Sequence, residues 1–208
     1  MGPRKERRRT SMDDKGAAPA VIAAAVYFLE PGPGNTATTM ELAARRAEEL
    51  DVRHILVATT TGRTGLAAAR RFKGRAVVAV SHSAGFAAPG RQELDPENRR
   101  LIEAEGGRVL TCQHAFGGVG RAVRKKLGTY ELEELVAYTL RIFGEGTKVA
   151  IEIALMAADA GFVPVDEPCL SIGGTGRGAD TAVLLRPANA QSFFDLRIVE
   201  VIAKPRFA

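Results

Sequence analysis

Ile55-Leu56-Val57-Ala58, then Thr59-Thr60-Thr61-Gly62-Arg63-Thr64, then Gly65-Leu66-Ala67-Ala68-Ala69-Arg70-Arg71-Phe72, and after a short turn Ala76-Val77-Val78-Ala79-Val80-Ser81: this stretch decides the fold. Its first and last segments are apolar runs rich in Val and Ile, the pattern of strands buried on both faces. Between them the chain has room for a polar loop and a short helix. Strand, helix and second strand make a right-handed βαβ unit, which demands a parallel sheet covered by helices on both sides. The fold class is therefore α/β.

The neighbouring segments extend that unit. Residues 21–29 read as another buried strand, stopped by Pro31-Gly32-Pro33-Gly34. Asn35 can cap a helix over 36–50, in which Met40, Ala43, Ala44, Ala47 and Leu50 oppose Glu41, Arg45, Arg46, Glu48 and Glu49. Downstream, Pro96 suits the first turn of a helix over 96–105. A strand is expected at 108–111, a basic helix at 117–126, and an amphipathic helix over 130–143, ended by Gly144. Residues 148–160 alternate Val149, Ile151, Ile153 and Leu155 as a strand would, but their length and the following Gly161 favour a helix. Strands return at 169–172, 181–185 and 196–203.

Composition narrows the function classes. The chain has 208 residues, 46% of them apolar, enough for one core. Six basic residues (Arg4, Lys5, Arg7, Arg8, Arg9, Lys15) against three acidic ones (Glu6, Asp13, Asp14) put +3 of the net +5 into the first 15 positions, leaving +2 for the rest. With no Trp and few aromatics, the body lacks the features of a nucleic-acid-binding surface. Cys112 and Cys169 form no C-x-x-C pair, and His54, His82 and His114 have no helical partners at metal spacing, so no metal is expected. Asp13, Asp14 and the Glu30-Pro31-Gly32 ending spoil the likeness of residues 1–30 to a secretory signal, and no run approaches the ~20 apolar residues of a membrane span. The expectation is a disordered tail over 1–19 and one cytoplasmic domain over 20–208, with no membrane partner and self-association left open.

Chemistry is expected in two glycine-bearing loops. Residues 59–65 join a buried strand to a helix start, and Thr59, Thr60, Thr61, Gly62, Arg63 and Thr64 combine hydroxyls, a guanidinium, free amides and a helix dipole, which suits a phosphate. The loop lacks the Gly-Lys-Thr/Ser ending of a Walker A motif. Gly173-Gly174-Thr175-Gly176-Arg177-Gly178-Ala179-Asp180-Thr181 reads equally as a flexible hairpin or a ligand loop. Because a strand follows it, it is not a dinucleotide fingerprint. Glu152, Met156 and Asp159 share one helix face, and their carboxylates need partners, either structural ones or those of a ligand. His82 follows the strand at 76–81, at the carboxyl edge where parallel sheets bind ligands.

Taken together, Tyr27-Phe28-Leu29-Glu30-Pro31-Gly32 with Asn35-Thr36, Glu152-Ile153-Ala154-Leu155-Met156-Ala157-Ala158-Asp159-Ala160-Gly161, and Gly173 to Ala182 followed by Arg186-Pro187-Ala188 resemble a family of largely archaeal proteins with a pyruvate kinase C-terminal-domain-like fold. Phe193-Phe194-Asp195 and Pro205-Arg206 continue the likeness, which covers roughly residues 21–206. It implies a three-layer α/β/α domain with a mixed, mostly parallel sheet and a pocket for flavin mononucleotide (FMN). The loop at 59–64 is also similar to the one with which the C-terminal domain of pyruvate kinase holds a sugar phosphate. Kinase chemistry is not implied, no catalytic residue is assigned, and a non-catalytic sensor of a phosphorylated metabolite is the alternative. The cofactor-binding set so drawn is Asn35, residues 59–64, His82, Glu152, Met156, Asp159, Gly173, Gly174, Thr175, Arg177, Gly178, Asp180 and Thr181.

Overall fold

The computed structural model describes residues 20–21 and 23–207, so the basic segment expected to be a tail lies outside the described residues. The chain runs β1 (Val26–Phe28), α1 (Thr36–Glu49), β2 (His54–Thr59), α2 (Arg63–Arg71), β3 (Ala76–Ser81), α3 (Pro96–Ala104), β4 (Arg108–Thr111), α4 (Val119–Leu127), α5 (Leu132–Arg141), α6 (Glu145–Asp159), β5 (Cys169–Gly173), β6 (Thr181–Arg186) and β7 (Arg197–Pro205). One sheet of seven strands results, in the order β1-β7-β6-β5-β2-β3-β4. Only β6 runs against the rest, so the sheet is mixed and mostly parallel.

Alternation along β2 explains the layers. Ile55 and Val57 face one side, where Met40, Ala43 and Ala47 of α1, Ala68 and Phe72 of α2, and Ile102 of α3 close over them. Leu56 faces the other side, against Ala150, Ile153, Ala154 and Ala157 of α6. Outside α6, Ala137 of α5 and Phe116 pack on Ile151 and Leu155, so α6 is enclosed on nearly every side. That enclosure resolves its ambiguous pattern, because a helix buried all round has no polar face to reveal its period.

Three readings change. Residues 21–29 are not a buried strand: only Val26–Phe28 pair, parallel to β7 at the sheet edge, with Tyr27 and Leu29 exposed. An edge strand has a neighbour on one side only, and no helix covers those side chains. Helix α2 begins at Arg63 rather than Gly65, which puts Arg63 and Thr64 in its first turn. Helix α6 starts three residues earlier than its pattern indicated, at Glu145. Among the described residues no helix is long and apolar enough to cross a membrane.

Candidate functional site

At the carboxyl ends of β2 and β3 a cleft of about 880 Å³ opens between α2, α6 and the loops that follow the strands. Its threonine end is built locally. Thr59 Oγ1 accepts the amides of Gly62 (3.1 Å) and Gly65 (3.3 Å), folding the loop back on β2. The start of α3 pins the loop from outside, with Asn98 Nδ2 donating to Thr61 O at 2.9 Å. Gly62 adopts φ +95°, and a Cβ there would lie 2.5 Å from Asn98 Cβ, so this position requires glycine. The amides of Arg63 and Thr64 are left at the α2 N-terminus with no acceptor among the described residues. Thr60, Thr61, Arg63 and Thr64 line the cleft beside them.

The glycine-rich loop forms the facing wall through Gly174, Gly176, Arg177 and Gly178. Gly178, at φ +71°, lies against Pro33 and Thr36, and Thr36 Oγ1 accepts from Ala179 N at 3.0 Å. Asp180 is fully buried and accepts from Gly32 N (2.9 Å), Thr175 N (3.1 Å) and Thr181 Oγ1 (2.9 Å). It therefore fastens the loop to the end of β1. Between the two loops the floor is apolar, made by Val80, Val149, Ile153 and Met156.

The far end is polar again. Glu152, buried on α6, receives Lys148 Nζ at 2.5 Å and Phe116 N at 3.0 Å, and His114 Nδ1 stands 3.6 Å away. Burial pushes its carboxyl up, but the contact with His114 and the charge and hydrogen bond of Lys148 outweigh it and hold the pKa at about 2. His82 Nδ1 lies 2.8 Å from Glu93 Oε2. Phe86 connects the two imidazoles, 4.0 Å from His82 and 4.9 Å from His114 between ring centroids. Arg63, Arg121 and Arg177 reach the cleft without a carboxylate partner among the described residues, whereas Arg141 and Lys148 are paired with Glu145 and Glu152.

The family model for the pyruvate kinase alpha/beta domain matches residues 37–185. The chain belongs to that family. Among solved structures it is similar to a pyruvate kinase from Cryptosporidium parvum, at 12% identity and a TM-score of 0.39 over 73% of this chain and 22% of that one. A second structure of the Cryptosporidium parvum enzyme matches at 12% identity and a TM-score of 0.38 over 76% and 23%. A third, in complex with ADP, matches at 11% identity and 0.37 over 81% and 23%. The chain thus spans less than a quarter of the length of those kinases.

In this pyruvate kinase alpha/beta domain the sequence-read residues fall into two groups. Thr59, Thr60, Thr61, Arg63, Thr64, His82, Glu152, Met156, Gly174, Arg177 and Gly178 line the one cleft. The others do not line it. Asn35 holds the turn before α1 by donating to Glu30 O, and no side-chain cap joins it to that helix. Gly62, Gly173, Thr175, Asp180 and Thr181 shape the loops from behind; a Cβ on Gly173 would lie 2.3 Å from Gly146 O. Asp159, at the far end of α6, accepts from Asn189 Nδ2 and Ala190 N. Its shared face with Glu152 was real, but the helix carries it out of the cleft. Missed altogether were Phe86, Glu93, His114, Arg121 and Lys148. Lys148, four residues before Glu152, was the one readable signal for a buried pair.

Proposed function

We propose that the cleft binds a phosphorylated cofactor, FMN, with its phosphate at the threonine end. The observation that carries this is the free Arg63 guanidinium beside the unpaired first-turn amides of α2, with the free Arg177 on the facing wall of a cleft whose floor is apolar. A helix N-terminus and an arginine together favour a phosphate dianion. The residues fit the whole cofactor: about 880 Å³ lies within the range of small-molecule pockets, and Val80, Val149, Ile153 and Met156 offer a flat ring an apolar bed. FMN, when bound, supplies electron or hydride transfer. The chain's own part is to hold the phosphate, seat the ring and present His82 and His114 beside it.

Calorimetric titration of FMN and riboflavin at low and high salt tests this. Two charge-assisted bonds to phosphate give FMN an advantage on the order of a hundredfold or more, only modestly reduced by salt because the loop is partly closed. Near-equal affinities would overturn the phosphate assignment.

A second reading, a non-catalytic module that senses a phosphorylated metabolite, is favoured by the state of Glu152. Held ionised by His114 and Lys148 at a pKa of about 2, this carboxylate beside the apolar floor is a poor proton acceptor. Stopped-flow mixing of the FMN-loaded protein with NAD(P)H separates the two: rapid bleaching of the flavin supports a redox role, and an unchanged spectrum supports sensing.

A further inference from the structure

A side pocket of about 200 Å³ opens off the histidine end of the cleft. It shares Phe86, His114 and Arg121 with the cleft and adds Lys125. At roughly 30 Å³ per water it holds a group of a few heavy atoms and is too small for a nucleotide. Its charge is one-sided. On α4, Arg124 is taken by Glu134 at 2.7 Å, whereas Arg121 and Lys125 have no carboxylate partner among the described residues. The Arg121 guanidinium carbon lies 4.8 Å from the Phe86 ring centroid, within cation–π range, which keeps the charge at the pocket.

His114 stands between the two compartments. Its Nδ1 lies 3.6 Å from Glu152 Oε1, while Nε2 is buried and has no hydrogen-bond partner among the described residues. A buried polar atom without a partner is uncommon and calls for one from outside the chain.

We propose that this side pocket binds a compact oxyanion, a small carboxylate or phosphate, through Arg121 and Lys125, beside the His114 ring that separates it from the main cleft. The role of that anion as a second reactant rests on the flavin reading above; its binding does not. Both candidate anions present paired oxygens, planar or tetrahedral, that accept bidentately from a guanidinium fork.

The test reads the His114 ring nitrogens by NMR in the full-length, 15N-labelled protein at fixed pH, as acetate or inorganic phosphate is added, with and without FMN. The Nε2 resonance is expected to move saturably with at least one of the two, and the tighter binder identifies the class. Arg121→Gln weakens that response about tenfold or more, and Lys125→Gln, an exposed change that leaves the fold intact, weakens it several-fold. Arg63→Gln leaves it unchanged. A His114 signal that neither anion moves overturns the proposal. So does a response abolished by Arg63→Gln but not by Arg121→Gln, because the anion then sits in the threonine loop. If FMN fails to bind while the His114 response persists, the flavin reading falls and the side pocket stands.

Discussion

At the threonine end of the cleft, six consecutive residues supply hydroxyls, a guanidinium and amides, and a single side chain, Thr59, ties them together. At the histidine end, His82, Glu93, His114, Phe116, Lys148 and Glu152 converge from separate segments, and a buried ion pair holds them. Around Thr59 and Gly62, which set its shape, the first end presents exposed side chains such as Arg63 that hold nothing else in place, so changes to those should cost ligand affinity and little stability. In the second end, the Lys148–Glu152 pair is removed from water and each charge satisfies the other, so changes to that pair should cost stability first.

Glu152→Ala is the largest break. Truncation leaves Lys148 charged and buried without a partner, a loss of about 3–5 kcal/mol measurable by urea unfolding. The same residue sets an acid dependence. Its carboxyl is held at about 2 in the folded protein against 4.5 ordinarily, so it favours folding above about pH 4.5, and that contribution fades as pH falls towards 2. Wild-type stability should therefore drop across that window by on the order of 3 kcal/mol from this group, and Glu152→Gln should flatten the drop. Equal acid slopes in the two proteins would show that the Lys148 and His114 contacts do not set the pKa.

The contrast between the ends also accounts for what was legible in the sequence. Strand and helix signals are local, so β2, α2, β3 and β4 were placed within two residues, as was the threonine loop between them. Neither pairing follows a local rule: Glu93 meets His82 through the fold of the single loop between β3 and α3, and His114, in the loop after β4, meets Glu152 of α6 only through the tertiary packing. The glycine-rich loop was ambiguous because φ angles and close contacts are invisible in composition. Of its glycines, Gly178 is pressed against Pro33, whereas Gly176 faces open space.

That difference gives the next test. In Gly178→Ala the new Cβ would meet Thr36 Oγ1 at 2.5 Å and Pro33 Cα at 2.7 Å on a backbone already at φ +71°. The strain should lower stability by about 1–3 kcal/mol. Gly176→Ala, at φ +79° with nothing within 4 Å, carries only the left-handed backbone cost of about 1 kcal/mol. Thermal unfolding that ranks the two equally would mean that the loop is not clamped to the turn before α1.

Arg63→Ala tests the other side of the comparison. The residue is exposed and unpaired among the described residues, so the melting temperature should stay where it is. FMN affinity should fall by roughly ten- to a hundredfold, the worth of one charge-assisted contact. A loss of stability with affinity preserved would reverse the assignment of roles between the two ends.

The smallest expected effect comes from Asp159, which shares a helix face with Glu152 yet belongs to neither end. At 1.5 Å per residue, the 15 residues of α6 put it about 20 Å from Glu145, whose side chain lines the cleft. Its one engaged oxygen accepts Asn189 Nδ2 at 3.1 Å and Ala190 N at 3.0 Å, both at the surface. Asp159→Ala should therefore cost about 0.5–1.5 kcal/mol for each hydrogen bond at most, and less where water replaces the carboxylate. FMN affinity should not move, because Asp159 does not line the cleft and its hydrogen bonds go to Asn189 and Ala190, which do not line it either. Parallel titrations of Asp159→Ala and Arg63→Ala make the reading sharp. If the two variants weaken FMN equally, the ligand is not held at the carboxyl ends of β2 and β3, and the likeness of Asp159 and Glu152 on one helix face would be the better guide to the site than the cleft.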